Sequence, residues 1–443
     1  MSSSNNTSFL HTSVYDLDEP SVLESVQKVM LSGMRLFAEY WRIYAGAYSK
    51  LNVGDWFDKV YYDWLRTTDK DFSEQLRSEQ FINILNEYVE NCIDLHAAMR
   101  RMGYPVFMIN DFIEQYLRAS MVFSNAPSKL YETPHEIVRK KDDTRLLRYH
   151  SSSKYKTPLL IVYAPINRYH IMDMNADRSI VNNFVSGGFD TFLLDWGEQK
   201  NNNLTIADYV NYIDESIEEV KKLTESKRVT LFGYCWGGVL SVMHASLHNE
   251  KLRNLIVQAA PVDFDKDKSI LAEWARKFPI DRFVDEFKEM DGHILDLGFL
   301  LRNVVRYGFD KYVKFAQKMD DRQFVDNFIR VERWLYDTPD IPGEFFRQFV
   351  KDLYKKNLLI KNAMSLNGKI INLKAITVPL LNIVGVKDDL APPDASSPLN
   401  DAVSSRDKKF LEFPVGHVGL CVSSSAHANL WPQVVKWLQE RSA

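Results

Sequence analysis

The stretch Leu231-Phe232-Gly233-Tyr234-Cys235-Trp236-Gly237-Gly238 limits what this chain can fold into more than any other. Ahead of it, Arg228-Val229-Thr230-Leu231-Phe232 is β-branched and apolar and reads as a buried strand. Behind it, Val239 to His248 predicts a helix, with Leu240, Met243 and Leu247 recurring at spacings of three and four. Cys235 therefore falls at a strand–Gly-x-Cys-x-Gly–helix turn. Small flanking residues let the backbone turn tightly and lift the side chain above the sheet. The helix start aims free N–H groups and a positive dipole end at the thiol, which favours the thiolate. The pattern marks Cys235 as a nucleophile rather than a structural cysteine.

The rest of the chain is organised around that turn. After a polar stretch over 1–20, apolar residues recur at helical spacing from Val22 to about Ser49, from Phe81 to Met99 and from Val106 to Phe123. Gly103-Tyr104-Pro105 and Asn125-Ala126-Pro127 close the second and third of these. Residues 1–125 thus predict an all-helical N-terminal region, with a face suited to a partner or a hydrophobic particle. From Thr133 onward strands and helices alternate. Strands are expected at 158–164, 190–195, 228–232, 255–259, 379–384 and 409–413. Helices are expected near 178–185, at 205–223 (opened by a Thr205/Asp208 capping box), after the turn, and at 429–440. Alternation with a nucleophile turn predicts a mostly parallel, doubly wound α/β sheet of the α/β-hydrolase type over 126–443. Between the fourth and fifth strands, residues 262–375 form a mainly helical insertion rich in aromatics, among them Trp274, Phe278, Phe346 and Tyr354. In this fold such an insertion lies over the nucleophile as a lid.

Bulk properties exclude several classes. A net charge of −4 leaves no basic surplus for nucleic acid. Three cysteines argue against a disulfide framework and for a reducing compartment. Cys92 and Cys421 sit in apolar stripes and read as packing. No metal-ligand spacing, secretory leader or membrane-length apolar run is present, so no metal, no cofactor and a soluble cytoplasmic protein are expected.

An elbow nucleophile needs an acid and then a base, in that chain order. The loop Gly385-Val386-Lys387-Asp388-Asp389-Leu390-Ala391-Pro392 follows a strand and holds two acids, Asp388 and Asp389, between which chemistry alone does not choose. The next strand leads into Pro414-Val415-Gly416-His417-Val418-Gly419, and His417 is the one histidine of ten with the required topology. The oxyanion hole calls for the backbone N–H of Trp236 and one from the loop Pro165-Ile166-Asn167-Arg168, with Ile166 the candidate. Asp195-Trp196-Gly197 ends a neighbouring strand and either braces that loop or is purely structural.

These motifs together resemble the poly(3-hydroxyalkanoate) synthases, most closely the two-subunit class III type, from about Thr133 to the C-terminus. Gly233-Tyr234-Cys235-Trp236-Gly237-Gly238 looks like the family's lipase-like box with cysteine in place of serine. Similar correspondences hold for Leu160–Ala164 with Asn167-Arg168, for Asp177-Arg178-Ser179, for Leu194–Gly197, for Asn327–Trp334 and for Gly416–Gly419. The resemblance puts Asp388 at the catalytic aspartate position and implies a Cys235, Asp388, His417 triad. It implies polymerisation of (R)-3-hydroxyacyl-CoA, 3-hydroxybutyryl-CoA foremost, through acyl transfer to cysteine, with coenzyme A leaving and no cofactor. It further implies a growing polyester chain, a homodimer, a helical partner subunit and a storage-granule surface. Two features depart from the family. Trp236 is bulky where a small or polar residue is usual and narrows the pocket, and residues 1–125 match neither the short class III leader nor the class I N-terminal domain. Rival readings are a cysteine hydrolase of the dienelactone-hydrolase kind, whose chains are shorter and lack the lid, and a silent granule scaffold, against which the intact trio argues.

Overall fold

The computed structural model describes residues 133–149, 153–301 and 311–442, with scattered positions between 24 and 94. The chain divides into two compact units, Met1–Met121 and Val122–Ala443. In the first, the described positions within 24–39 and 79–94 are helical apart from the bend at Ser78 that precedes them. Arg35 bonds Glu87 at 2.8 Å and Gln80 donates to Glu39 at 3.0 Å, so these two stretches lie side by side. The helix expected at 106–123, and Cys92, lie outside the described residues.

The second unit is built on eight strands: β1 (Glu136–Lys141), β2 (Thr144–Tyr149), β3 (Leu159–Val162), β4 (Thr191–Asp195), β5 (Val229–Tyr234), β6 (Leu252–Gln258), β7 (Leu380–Gly385) and β8 (Lys408–Phe413). Their order across the sheet is β1-β2-β4-β3-β5-β6-β7-β8. β1 and β2 are antiparallel and everything from β4 to β8 is parallel. β3, β4, β5 and β7 are buried along their whole length, which is why they read as unbroken apolar runs. The α/β-hydrolase architecture expected from the sequence is what is found.

Helices α1 (Ile180–Ser186), α2 (Ile206–Thr224), α3 (Trp236–Leu247) and, near the end of the chain, α10 (Trp431–Gln439) accompany the sheet. The Thr205/Asp208 capping box is formed in both directions. The hairpin β1–β2 was not legible as strands, because Arg139, Lys140, Lys141 and Arg145 break any clean apolar alternation. Its charges suit an edge: Lys141 and Arg139 both bond Glu215 on α2, Lys141 at 2.6 Å.

Between β6 and β7 the chain leaves the sheet and forms α4 (Ile270–Lys277), α5 (Ile280–Phe287), α6 (Gly292–Leu301), α7 (Lys311–Gln317), α8 (Arg322–Leu335) and α9 (Gly343–Gln348). α9 runs directly into a π-helix, Phe349–Lys355. Hydrogen bonds fasten this insertion at several places. The Trp334 indole donates to the Arg168 carbonyl at 2.7 Å, and Asn167 donates to Thr338 at 2.6 Å. At its base Asn357 accepts from the Phe264 N–H at 2.9 Å and donates to Asp263 at 2.8 Å.

On one face of the sheet Phe184, Phe232 and Trp431 meet edge-on or tilted, each pair with centroids 5.9 Å apart. All three are fully buried. Phe184→Ala is expected to cost about 3–5 kcal/mol of stability. A lowered urea midpoint with an unchanged slope is the result that checks it.

Candidate active site

β5 carries the chain into Cys235 with φ 56° and ψ −128°, a left-handed conformation that costs a residue with a β-carbon free energy. The turn is held by its own backbone. The Cys235 N–H donates to the Gln258 carbonyl at 2.9 Å, and the Cys235 carbonyl accepts from Gly238 at 2.9 Å and Val239 at 3.1 Å. Glycine is required beside it, because a β-carbon at residue 237 would stand 2.3 Å from the Tyr163 carbonyl oxygen. That contact draws the start of α3 against the end of β3. Trp236 is the first residue of α3, so its N–H has no intrahelical acceptor.

The loop after β3 holds Ile166, buried in a turn at the same C-terminal edge of the sheet. It is braced from β4: the Trp196 indole donates to the Tyr163 carbonyl at 2.9 Å, and the Tyr163 hydroxyl donates to Asp195 at 3.1 Å. Of the two readings of Asp195-Trp196-Gly197, these bonds favour the brace.

Asp388 follows β7, and it is the acid of the pair that meets the histidine. Its Oδ2 accepts from His417 Nδ1 at 2.7 Å, while Oδ1 accepts from the N–H groups of Leu390 and Ala391, both at 2.9 Å. Asp389 is partly exposed. Nδ1 is committed to Asp388, and Cys235 lies close enough to His417 for its charge to act on the ring. The Tyr234 ring packs on the imidazole at 5.0 Å. Burial alone would push His417 down, but the neighbouring charges of Asp388 and Cys235 outweigh it and hold the ring at about 10.

Trp236 has a definite place. Its ring stacks on Phe349 at 3.7 Å and 21°, with Phe345 and Phe346 at 6.0 and 6.5 Å. It joins α3 to the base of the helical insertion. Cys421 is fully buried and accepts from Gln258 at 3.2 Å, in keeping with a packing role. Sequence reasoning missed Tyr234 and Asp267. Asp267 is fully buried in the entry to the lid, one oxygen bonded to the Ser269 N–H and the other without a partner. Nothing in its polar surroundings, Asp265-Lys266-Asp267-Lys268, signals burial. Among the described residues no group of three His, Cys, Asp or Glu side chains is placed to hold a metal ion, and no helix is long and apolar enough to cross a membrane.

Over residues 169–422 the sequence matches the alpha/beta hydrolase fold, and over 121–184 the poly-beta-hydroxybutyrate polymerase (PhaC) N-terminus. The poly(3-hydroxyalkanoate) polymerase subunit PhaC of Thiocystis violacea is 40% identical over 316 residues, covering 70% of this chain and 89% of the relative. The chain belongs to the poly(3-hydroxyalkanoate) polymerase PhaC family. Its counterpart in Haloferax mediterranei is 42% identical over 318 residues, 70% of this chain and 65% of the relative, so this chain spans about two thirds of that protein. The subunit of Allochromatium vinosum is 39% identical over 316 residues, again 70% and 89%. Among solved structures, the Paleococcus ferrophilus monoacylglycerol lipase aligns with a TM-score of 0.44 and 16% identity over 67% of this chain and 99% of its own. The resemblance read from the motifs is borne out.

The His417 value has a consequence for stability. An unfolded histidine titrates near 6.5 and the folded ring at about 10, so the protonated ring stabilises the fold fully below about pH 6.5 and loses that contribution as pH rises through about 10. The stability lead of wild type over His417→Gln should therefore shrink between pH 6.5 and pH 10 in urea unfolding, and the His417 ring signals in NMR should be those of imidazolium at pH 8.

Proposed function

We propose that this chain polymerises (R)-3-hydroxyacyl-CoA, with 3-hydroxybutyryl-CoA the foremost substrate, into polyhydroxyalkanoate by acyl transfer to Cys235. What supports the reading is the His417–Asp388 hydrogen bond near the strained turn at Cys235, at the C-terminal edge of the sheet, in a chain of the poly(3-hydroxyalkanoate) polymerase family.

In this mechanism His417 holds the thiol proton and the sulfur of Cys235 attacks the thioester carbonyl. The N–H groups of Trp236 and Ile166 receive the oxyanion. As the C–S bond to coenzyme A breaks, the imidazolium returns its proton to the departing thiolate and the acyl group remains on Cys235. Neutral His417, oriented by Asp388, then takes the proton of an incoming 3-hydroxyl, whose oxygen attacks the acyl thioester; the ester bond forms as the carbon–sulfur bond to Cys235 breaks, and the sulfur leaves as thiolate beside the His417 imidazolium. Sulfur suits this cycle. A thioester intermediate keeps the acyl group as activated as it was on coenzyme A, whereas an ester on serine would be a thermodynamic sink. Excluding water lets the hydroxyl compete, and the aromatic lid base beside Trp236 provides apolar cover. No cofactor enters the scheme, coenzyme A being a leaving group.

Residues 1–125 are assigned to assembly: a homodimer contact, a helical partner subunit or attachment to the granule surface. The protein works in the cytoplasm at storage granules.

Incubating the full chain with 3-hydroxybutyryl-CoA should release free thiol and raise turbidity together. Cys235→Ala should lower both by on the order of 10⁴-fold or more. Thiol release without polymer would make the protein a cysteine hydrolase, and equal behaviour of Cys235→Ala and wild type would remove the enzyme reading. Deleting 1–125 should impair assembly or granule attachment more than acylation of Cys235; unchanged assembly would refute that assignment.

A further inference from the structure

The π-helix at Phe349–Lys355 carries Tyr354 beneath the lid. Such segments are rare and concentrate at functional positions, because the extra residue per turn re-aims a side chain. The Tyr354 ring packs edge-on against Phe264 at 4.8 Å and lies 6.3 Å from Phe349, the same ring that stacks on Trp236 at 3.7 Å. This aromatic cluster sets Tyr354 next to the Trp236–Phe349 stack, beside the residue that follows Cys235, and close enough to Cys235 and Asp267 for their charges to act on the phenol.

A phenol hydroxyl can both donate and accept a hydrogen bond. The neighbouring Asp267 oxygen Oδ2, fully buried, takes no hydrogen bond from it or from any other group. Burial first, and then the nearby Asp267 and Cys235, push the phenol well above its usual range, so the group is a neutral donor at working pH and not a base. Burial likewise raises the Asp267 carboxyl, with the Asp388 charge adding to it.

We infer that Tyr354 donates a hydrogen bond to the 3-hydroxyl oxygen of the acyl group on Cys235, making the site selective for 3-hydroxyacyl over unsubstituted acyl thioesters. This rests on the acyl-transfer reading given above. The carbonyl oxygen is served from the sheet edge by backbone N–H groups, while Tyr354 hangs from the lid. The part of the acyl group it meets is therefore the chain beyond the carbonyl, where the 3-hydroxyl is the polar atom. A donor built for a substrate hydroxyl is left unpaired by an analogue that lacks it, which is the strong form of discrimination.

The test compares single-turnover release of coenzyme A from (R)-3-hydroxybutyryl-CoA and butyryl-CoA by wild type and Tyr354→Phe, with acylation of Cys235 verified by mass spectrometry. Wild type should favour the hydroxyacyl thioester by about 10²-fold or more. Tyr354→Phe keeps the ring and its packing, and should narrow that ratio about 10-fold or more by slowing the hydroxyacyl reaction while leaving butyryl transfer unchanged. Equal slowing of both substrates would place Tyr354 at the carbonyl, the leaving sulfur or the lid packing, and would overturn the inference, as would an unchanged ratio. If Tyr354→Phe melts well below wild type, Tyr354→Trp, which fills the space and offers a different donor, must also narrow the ratio for the inference to stand. Failure of wild-type Cys235 to be acylated by either thioester would instead overturn the acyl-transfer reading itself.

Discussion

The left-handed backbone at Cys235 is the constraint on which the site depends. A non-glycine residue in that conformation costs about 1–3 kcal/mol and persists only where its surroundings over-determine it. Here the surroundings are three main-chain bonds, from Cys235 to Gln258 and from Gly238 and Val239 back to Cys235, and a glycine that lets α3 close on the Tyr163 carbonyl. These contacts lock the end of β5 to the ends of β6 and β3. The sheet core supplies the stability that holds the turn in place, and the turn sets Cys235, half-buried, at a helix start.

The partners of that sulfur arrive by the same logic of strand ends. Asp388 follows β7 and His417 follows β8, adjacent parallel strands in register from Leu380–Lys408 to Gly385–Phe413. Two loops starting from neighbouring strand ends are bound to meet. Asp388 spends one oxygen on two backbone amides and the other on the imidazole, so the carboxylate has a single orientation and fixes the ring. Burial works against a charged imidazole, and the charges of Asp388 and Cys235 together overcome it.

Much of this was readable from the sequence because each feature has a local cause. The buried parallel strands show as unbroken apolar runs, the elbow as small residues around a cysteine, and His417 as a glycine-flanked loop residue after a strand. What was hidden depends on contacts distant in sequence. The choice of Asp388 over Asp389 is made by the amides of Leu390 and Ala391 and by a histidine 29 positions away. The β1–β2 hairpin carries edge charges that mask its alternation. Trp236 looked like an obstruction beside the nucleophile, because only the folded lid reveals the Phe349 ring it stacks on. Asp267 sits in a charged run and is nonetheless fully buried in the fold.

The stack of Trp236 on Phe349 makes positions 236 and 349 a single unit of variation. Shrinking either ring opens a void at the start of α3, and enlarging either forces the lid base away from α3. Changes at the two positions are therefore tolerated as exchanges of volume, one ring growing as the other shrinks. A redesign of this pocket that treats residue 236 as an independent specificity site would instead be selecting for the geometry of the lid.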